Sequence, residues 1–316
     1  MTGSARAAVG AGGIVALENI QLLIDVPSLA LQVLIDGILI GAILAIPAYG
    51  MALVWGVMNI INVSQGEYVL LGGFITFIMV DQFGISPLHG IAVSFVALYI
   101  VGWIIYRTVI FRIVDRDLFI SILATFGISI LMQQLMNLGF GADVQTADPG
   151  LESWVLANGT IVIAPIRIIA FVLVLVIGAL LLVFMNRSRM GRAIRATAQN
   201  ARAARIMGVD TDRVYATTYS LNAALCGAAG ALVVMTWVIH PFLGILYTVR
   251  SFLIVVVAGL GNLGAVIVAA LGLGALENYA GFVLGSEFQV AFVYILMVAI
   301  LIWRSMRLRR KRQYLT

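Results

Sequence analysis

The sequence predicts an all-α, polytopic integral membrane protein, and three observations lead to that fold class. The 316 residues are 62% hydrophobic and only 10% charged. Their mean hydropathy of +1.09 lies far outside the range that is typical of soluble globular domains. Apolar runs of about 20 residues, the length that a membrane-spanning helix needs, recur along the chain after residue 28.

Nine of these runs are predicted to span the membrane, and eight to ten is the range that the sequence supports. The seventh run is short, and the first is long and contains Pro47. The predicted spans are 30–57, 63–83, 87–109, 118–139, 163–186, 214–238, 246–260, 263–284 and 287–304. This places an N-terminal extracytoplasmic segment at 1–28, a transmembrane domain at 29–304 with a cytoplasmic loop at 186–213, and a basic tail at 305–316.

The positions of the arginines predict the orientation, because cytoplasmic loops are enriched in Lys and Arg. One side of the membrane receives Arg107, Arg112, Arg116, the seven arginines between 187 and 213, and the tail RSMRLRRKR. The other side keeps Arg6, Arg167, Arg250 and the acidic loop GADVQTADPGLESW. We therefore expect a cytoplasmic C-terminus and, with nine spans, an extracytoplasmic N-terminus.

The sequence contains no pattern of residues that is typical of a catalytic site or a metal site. Cys226 is the only cysteine and lies in an apolar run, which predicts a buried, inert thiol. His89 and His240 each lie near a proline at the end of an apolar run, and neither has a second metal ligand at a useful spacing. We expect no metal site, no catalytic residue and no enzymatic activity in this chain.

The longest predicted cytoplasmic segment, NRSRMGRAIRATAQNARAARIMGVDTDR, has the pattern of a short amphipathic helix. Spacings of three and four residues put one set of polar side chains on one face and small apolar side chains on another. The polar set is Arg192, Arg195, Gln199 and Arg202, and the apolar set is Ile194, Ala198, Ala201 and Ala204. Gly208 follows where a helix C-cap is expected. Such a helix rests on lipid headgroups or docks into a groove of a cytoplasmic partner.

Three ordered motifs resemble a known family. GRAIRATAQNARAARIMG resembles the cytoplasmic coupling loop of permeases of the branched-chain amino acid (Liv) type of ABC importer. MNIINVSQGEYVLLGGF is similar to the family's early INFAHGE-type signature, and GLGNLGAVIVAALGLGALE is similar to its late glycine-rich segment. Two positions depart from the family pattern: Gln65 replaces a common His, and Arg202 stands at the Glu of a Glu-Ala-Ala sequence.

The resemblance implies a permease subunit in a bacterial inner (plasma) membrane, with no covalent chemistry of its own. The implied partners are a second homologous permease, two cytoplasmic ATPase subunits that bind ATP and Mg²⁺, and an extracytoplasmic substrate-binding protein. The implied coupling residues are Gly191, Arg192, Arg195, Ala201, Arg202, Ala203, Ala204 and Gly208. The sequence is consistent with ATP binding by separate subunits. Lys311 is the only lysine, so the chain contains no Gly-Lys-Ser/Thr phosphate loop.

The glycine-rich segment GLGNLG at 259–264 matches the G-x-G-x-x-G pattern of dinucleotide sites. That site requires a βαβ unit, whereas this segment joins two apolar runs. We interpret it as a tight turn within the protein. Asn262 then either satisfies backbone carbonyls freed at the turn, which we favour, or lines the translocation pathway.

Glu67, in the stretch INVSQGEYVLLGGF, is the only Asp, Glu, Lys, Arg or His between Asp36 and Asp81. Ser64 and Glu67 have the spacing of a helix capping box, which favours a structural role. An intramembrane acid is also a candidate functional group. In that interpretation Asn59, Asn62, Gln65 and Glu67 form a polar lining of the pathway, where a helix is interrupted.

Glu277 is a second intramembrane acid, and a pair with Arg250 would stabilise both charges at depth. At a rise of 1.5 Å per residue, Glu277 lies about 22 Å from the turn at 261–262 along the segment that follows it, and Arg250 lies about 17 Å from the turn along the segment that precedes it. Long side chains can close that difference. We favour this structural ion pair over a contact with substrate.

The predicted function is import by alternating access of branched-chain amino acids or a related small polar solute such as urea or a short amide. The alternative is a secondary transporter driven by an ion gradient, which would need an ion site at mid-membrane and no ATPase. Inverted repeats would favour that alternative, and none is evident in the sequence.

Overall fold

The computed structural model describes residues 16–114, 116–156, 161–259 and 262–313, and most of these are helical. A helical stretch at 16–25 precedes the first labelled helix, and a short 3-10 helix at Ile110–Arg112 follows the third. The labelled helices are α1 (Pro27–Met58), α2 (Gln65–Phe83), α3 (Pro87–Thr108), α4 (Leu118–Phe140), α5 (Pro165–Arg187), α6 (Arg189–Gln199), α7 (Ala201–Ile206), α8 (Thr211–Thr236), α9 (Gly244–Ala258), α10 (Leu263–Leu284) and α11 (Ser286–Gln313).

The predicted fold class is confirmed. Within the described ranges, 8 helices are long and apolar enough to cross a membrane, and α9 is a shorter apolar helix of 15 residues. Each of the nine predicted spans corresponds to one helix. The ends agree to within three residues, except that α11 continues through the basic residues as far as Gln313. The first fifteen residues of the predicted N-terminal segment lie outside the described part of the chain.

A two-stranded hairpin before α5 was not predicted. β1 (Trp154–Leu156) pairs antiparallel with β2 (Ile161–Ile163), with Trp154 opposite Ile163. Gln32 extends this pairing, because its Nε2 donates to the Val162 carbonyl at 2.8 Å and its Oε1 accepts from the Val162 N–H at 3.1 Å. The predicted fifth span began at 163, but α5 begins at Pro165, where the fixed φ of proline favours a first helical turn.

The chain forms two compact units. The first comprises Met1–Gly41, Ser153–Ile163 and Leu271–Thr316, as far as these are described. Two side chains of α10 join it to α1 there: Asn278 Nδ2 donates to the Val33 carbonyl, and Tyr279 Oη donates to the Ala30 carbonyl, both at 2.7 Å.

The second unit comprises Ala42–Glu152 and Ala164–Ala270, and α8 lies at its centre. In the most apolar stretch of this helix, 94% of the residues are buried. Small residues allow the close approach of neighbouring helices. A Cβ at Gly230 would overlap the backbone carbonyl of Val69 in α2. The run AALCGAAGALVV of α8 therefore serves helix packing.

Candidate functional site

The chain is interrupted between α1 and α2, at the place that the sequence predicts. α1 ends at Met58, and Asn59 adopts a left-handed conformation with φ of 51°. Asparagine tolerates this conformation better than most residues, which gives the exposed Asn59 a structural role at the turn. α2 begins at Gln65, with Ser64 at its N-cap.

The capping-box prediction for Ser64 and Glu67 is wrong. Ser64 has φ of −77° and ψ of 11°, not the extended conformation usual for an N-cap, and its side chain makes no capping hydrogen bond. Its hydroxyl instead donates to Asn62 Oδ1 at 2.7 Å. The Glu67 carboxylate turns toward α4, where its Oε1 accepts from the Ser129 hydroxyl at 2.9 Å.

The second carboxylate oxygen of Glu67, Oε2, is buried and has no hydrogen-bond partner within the described part of the chain. The whole residue is only 1% exposed. Buried polar atoms are normally paired, so an unpaired carboxylate oxygen indicates a specific role. The position in the first turn of α2 offsets part of the cost through the helix dipole.

The start of α2 lies directly against the start of α9. The Gly66 N–H donates to Thr248 Oγ1 at 2.8 Å, and the same hydroxyl donates to the Val63 carbonyl at 3.0 Å. A Cβ at Gly66 would overlap the backbone of Gly244, and a Cβ at Gly244 would overlap the Glu67 carboxylate. Two helix N-termini, each carrying partial positive charge, therefore meet beside Glu67.

We expect Gly66→Ala to lower the folded yield sharply, because the new methyl group would force the α2 and α9 backbones apart. Overpacking of this kind typically costs about 1–3 kcal/mol. Gly127→Ala is the matched control, since a Cβ at Gly127 would meet nothing within 4 Å. Size-exclusion chromatography of the detergent-solubilised protein measures the yield. Equal yields for the two variants would contradict the close contact.

Gln65 is the centre of a fully buried hydrogen-bond network that joins α1, α2 and α8. Its Nε2 lies 2.8 Å from the Pro47 carbonyl, 2.9 Å from Asn222 Oδ1 and 3.0 Å from Cys226 Sγ. Its Oε1 accepts from Asn62 Nδ2 at 3.3 Å. The predicted burial of the Cys226 thiol is confirmed.

Three of the four predicted pathway residues at this interruption are therefore enclosed by protein. Asn62, Gln65 and Glu67 are buried, and only Asn59 is exposed. Sequence reasoning missed their partners Ser129, Asn222 and Thr248. The signal was present, because each is a polar residue in a mainly apolar helix, and such residues commonly make hydrogen bonds between helices.

The predicted amphipathic helix of the 186–213 loop is two helices. α6 ends at Gln199, and Asn200 begins α7 by accepting the Ala203 N–H on its side chain at 2.9 Å. The prediction of one continuous helix is wrong. The side-chain oxygen of an asparagine can accept a backbone N–H and so begin a new helix. Arg202, Ala201 and Ala204 therefore do not continue the faces of α6. Gly208, with φ of 85°, follows the end of α7 as predicted.

Several predicted coupling residues hold the loop together internally. The Arg195 guanidinium donates to the Met185 carbonyl and to Asn186 Oδ1, the latter at 2.7 Å. Arg192 donates to the Arg187 carbonyl at 3.1 Å. The Gly191 N–H donates to the Ser188 hydroxyl at 2.7 Å, which caps α6. These bonds fix α6 on the end of α5.

The outward surface of the loop lies around α7. Arg202 and Ala203 are exposed, whereas Ala201 is half-buried and Ala204 is buried. Ile206 and Met207 are 81% and 83% exposed. Two large apolar side chains exposed next to each other on a polar loop are typical of an interaction site.

A cavity of about 490 Å³ lies between α1, α5 and α6 in the second unit. It brings the predicted coupling residue Arg195 and the predicted pathway residue Asn262 to one place. Asn262 also accepts the Ala265 N–H at 3.1 Å, so its side chain satisfies a backbone donor at the start of α10 and not the carbonyls that we expected. Residues 260–261 of the glycine-rich turn lie outside the described part of the chain.

Arg250 and Glu277 belong to different units, and their pairing stays a prediction. Glu277 is buried, with 2% exposure. The Arg250 guanidinium carbon lies 5.9 Å from the centre of the Tyr247 ring.

If the two charges pair, neutralising either one will lower the folded yield, because the other charge is then left unpaired at membrane depth. The exchanged pair Arg250→Glu with Glu277→Arg will recover part of the yield. A double-mutant cycle on chromatographic yield measures the coupling. Losses that simply add would mean that the two residues do not meet.

Comparison with known proteins places the chain in a family. The sequence model of the family described as "Branched-chain amino acid transport system / permease component" matches residues 33–301. The chain belongs to this family. Its resemblance to Liv-type permeases, predicted from three motifs, is thereby confirmed. No solved structure matches the chain.

Relatives of this permease come from bacteria and an archaeon. LivH of Escherichia coli (strain K12), a high-affinity branched-chain amino acid transport system permease protein, is 27% identical over 289 residues, which cover 86% of this chain and 92% of LivH. BraD of Pseudomonas aeruginosa is also 27% identical, with coverage of 87% and 94%. A probable LivH of Methanocaldococcus jannaschii is 27% identical over 279 residues. The chain is therefore a multi-pass transport permease.

Proposed function

We propose that this permease is one membrane subunit of an ABC importer that moves branched-chain amino acids or a related small polar solute, such as urea or a short amide, into the cell. Transport proceeds by alternating access and is driven by two separate ATPase subunits. The family membership and the transport role of the relatives LivH and BraD support the proposal. Branched-chain amino acids are the first solutes to test.

The observation that carries the proposal is the exposed apolar pair Ile206 and Met207 on the loop that α6 and α7 form. This loop is fixed to the end of α5 by the hydrogen bonds of Arg195. A displacement of the loop is therefore transmitted to a membrane-spanning helix. An ATPase subunit that binds the pair would move α5 when nucleotide closes the ATPase dimer.

The remaining partners follow from the same proposal. A second homologous permease completes the membrane domain, and an extracytoplasmic binding protein delivers the solute. ATP and Mg²⁺ are bound by the ATPase subunits, since this chain has no Gly-Lys-Ser/Thr sequence. The protein resides in the inner membrane, with the loop and the C-terminus in the cytoplasm and the N-terminus outside.

We assign the intramembrane carboxylate of Glu67 to the transport step. The Ser129 bond and the two helix N-termini offset only part of the cost of burying this charge, and its Oε2 has no hydrogen-bond partner among the described residues. Gln65, Asn62, Asn59 and Asn262 are the other proposed residues of the pathway. Opening of the α2 and α9 contact would be needed to bring the buried members of this set to the solute.

The decisive experiment is reconstitution in liposomes with candidate ATPases, a second permease and a binding protein, sought in the reading frames next to this one. We expect uptake of labelled leucine or valine only with ATP and with all subunits present. The purified chain alone should show no ATP hydrolysis. Uptake by the chain alone, driven by an ion gradient, would refute the proposal and identify a secondary transporter.

A further inference from the structure

An apolar groove of about 710 Å³ runs along the second unit between α3, α5 and α8. Its walls are almost entirely aliphatic and aromatic. They include Ile91, Phe95, Leu173, Ile177, Leu221 and Leu225. None of these residues belongs to the loop around α7 or to the network around Gln65, so the groove is separate from both.

One end of the groove is polar and cationic. A second cavity of about 570 Å³ adjoins the groove there, and the two share Tyr99, Phe184 and Thr217. The second cavity is also lined by Trp103 and by two exposed arginines, Arg107 and Arg213.

The charged groups of this second cavity leave it cationic. Arg107 lies in the last turn of α3, with its guanidinium carbon 5.6 Å from the centre of the Trp103 ring. Arg213 lies in the first turn of α8. Asp210 also lines the cavity, but its Oδ1 accepts the Arg213 backbone N–H at 3.0 Å and caps α8. Two guanidinium groups against one carboxylate leave the lining with a net positive charge.

The groove and the cationic cavity follow one another along α3. The groove extends from Leu88 to Tyr99, which is about 16 Å at 1.5 Å per residue. Trp103 and Arg107 lie about 6 Å and about 12 Å beyond Tyr99 by the same rise, toward the end of this spanning helix. Trp is enriched at the level of the headgroups, so Trp103 and Arg107 lie where a headgroup meets its acyl chains. An acyl chain then runs from that level toward the bilayer centre at Tyr99 and into the groove.

We propose that this groove binds one anionic glycerophospholipid, with an acyl chain between α3, α5 and α8 and the headgroup phosphate at Arg107 and Arg213. The charge at one end distinguishes this occupant from a neutral lipid and from an apolar helix of a partner. A planar guanidinium binds phosphate oxygens in a bidentate manner. The bound lipid would hold α5, and with it the attached α6, against the centre of the unit.

Native mass spectrometry of the full chain in detergent tests the proposal, with phosphatidylglycerol and phosphatidylcholine added as probes. We expect one phosphatidylglycerol to bind with clear preference over phosphatidylcholine. Arg107→Gln and Arg213→Gln should each weaken phosphatidylglycerol binding about fivefold, and the double variant should abolish the preference. Arg116→Gln is the control, because Arg116 is exposed and lies outside both cavities.

The apolar part of the site has its own pair of variants. Ala92→Trp would fill the groove and should displace the lipid, whereas Ala179→Trp, at an exposed alanine of α5 that does not line the groove, should not. Three results would overturn the proposal. These are equal binding of both lipids to the unmodified chain, displacement of the lipid by inorganic phosphate alone, and disulfide cross-linking of two chains in membranes through Leu180→Cys in the groove.

Discussion

Glu67→Gln will fold at least as well as the unmodified permease and will lose uptake by ten- to a hundredfold in the reconstituted transporter. The amide has the same shape and is cheaper to bury than a carboxylate, so the yield should not fall. Its oxygen can still accept from the Ser129 hydroxyl. A contact that needs the negative charge would be lost, and such charge-assisted hydrogen bonds contribute about 1.5–3 kcal/mol. Uptake of labelled substrate and chromatographic yield are the two measurements.

Ser129→Ala provides the contrasting variant. It removes the hydroxyl that donates to Glu67 Oε1. Because Oε2 already lacks a partner among the described residues, neither carboxylate oxygen then accepts a hydrogen bond there. An unsatisfied buried charged group typically costs about 1–3 kcal/mol or more, so this variant should lower the yield. Combination with Glu67→Gln should reduce that loss, because the charge is gone. Normal uptake by Glu67→Gln would instead show that the carboxylate serves only packing and hydrogen bonding.

Met207→Asp will lower both uptake and the ATPase activity that the binding protein stimulates, without changing the folded yield. The side chain is almost fully exposed, so a polar replacement costs the isolated chain little. At an interface, a dominant apolar contact contributes about 2 kcal/mol or more, which corresponds to roughly a thirtyfold loss of affinity. ATPase activity stimulated by the binding protein should therefore fall together with uptake.

Val144→Asp is the matched control for the Met207 variant. Val144 is also an exposed apolar residue, 62% exposed, but it lies in the 141–153 loop. Coupling lost equally in both variants would point to a general defect and not to docking at α7. Ala204→Trp would be a poorer test of docking, because Ala204 is buried and a large side chain there would disturb the loop itself.

The sequence by itself determined the fold class and the positions of the membrane-spanning helices. Membrane-length apolar runs leave little choice, since every backbone group in lipid must be satisfied within a helix. The end of α7 before Gly208 and the start of α2 after Ser64 were also predictable, because they depend on residues that are adjacent in the chain. The family was recognisable for the same reason: its motifs are local and ordered.

Contacts between distant residues were decided only by the tertiary structure. The local spacing of Ser64 and Glu67 predicted a capping box, but Ser129, 62 residues away, binds the carboxylate instead. Gln65 is bound to Asn222 across 157 residues, which no spacing rule could reveal. The division of the 186–213 loop at Asn200 is different, because that cap is local; it was missed since apolar periodicity does not report a cap within a periodic run. Hydrogen bonds in a packed interior depend on which side chains meet, and only the assembled helices bring them together.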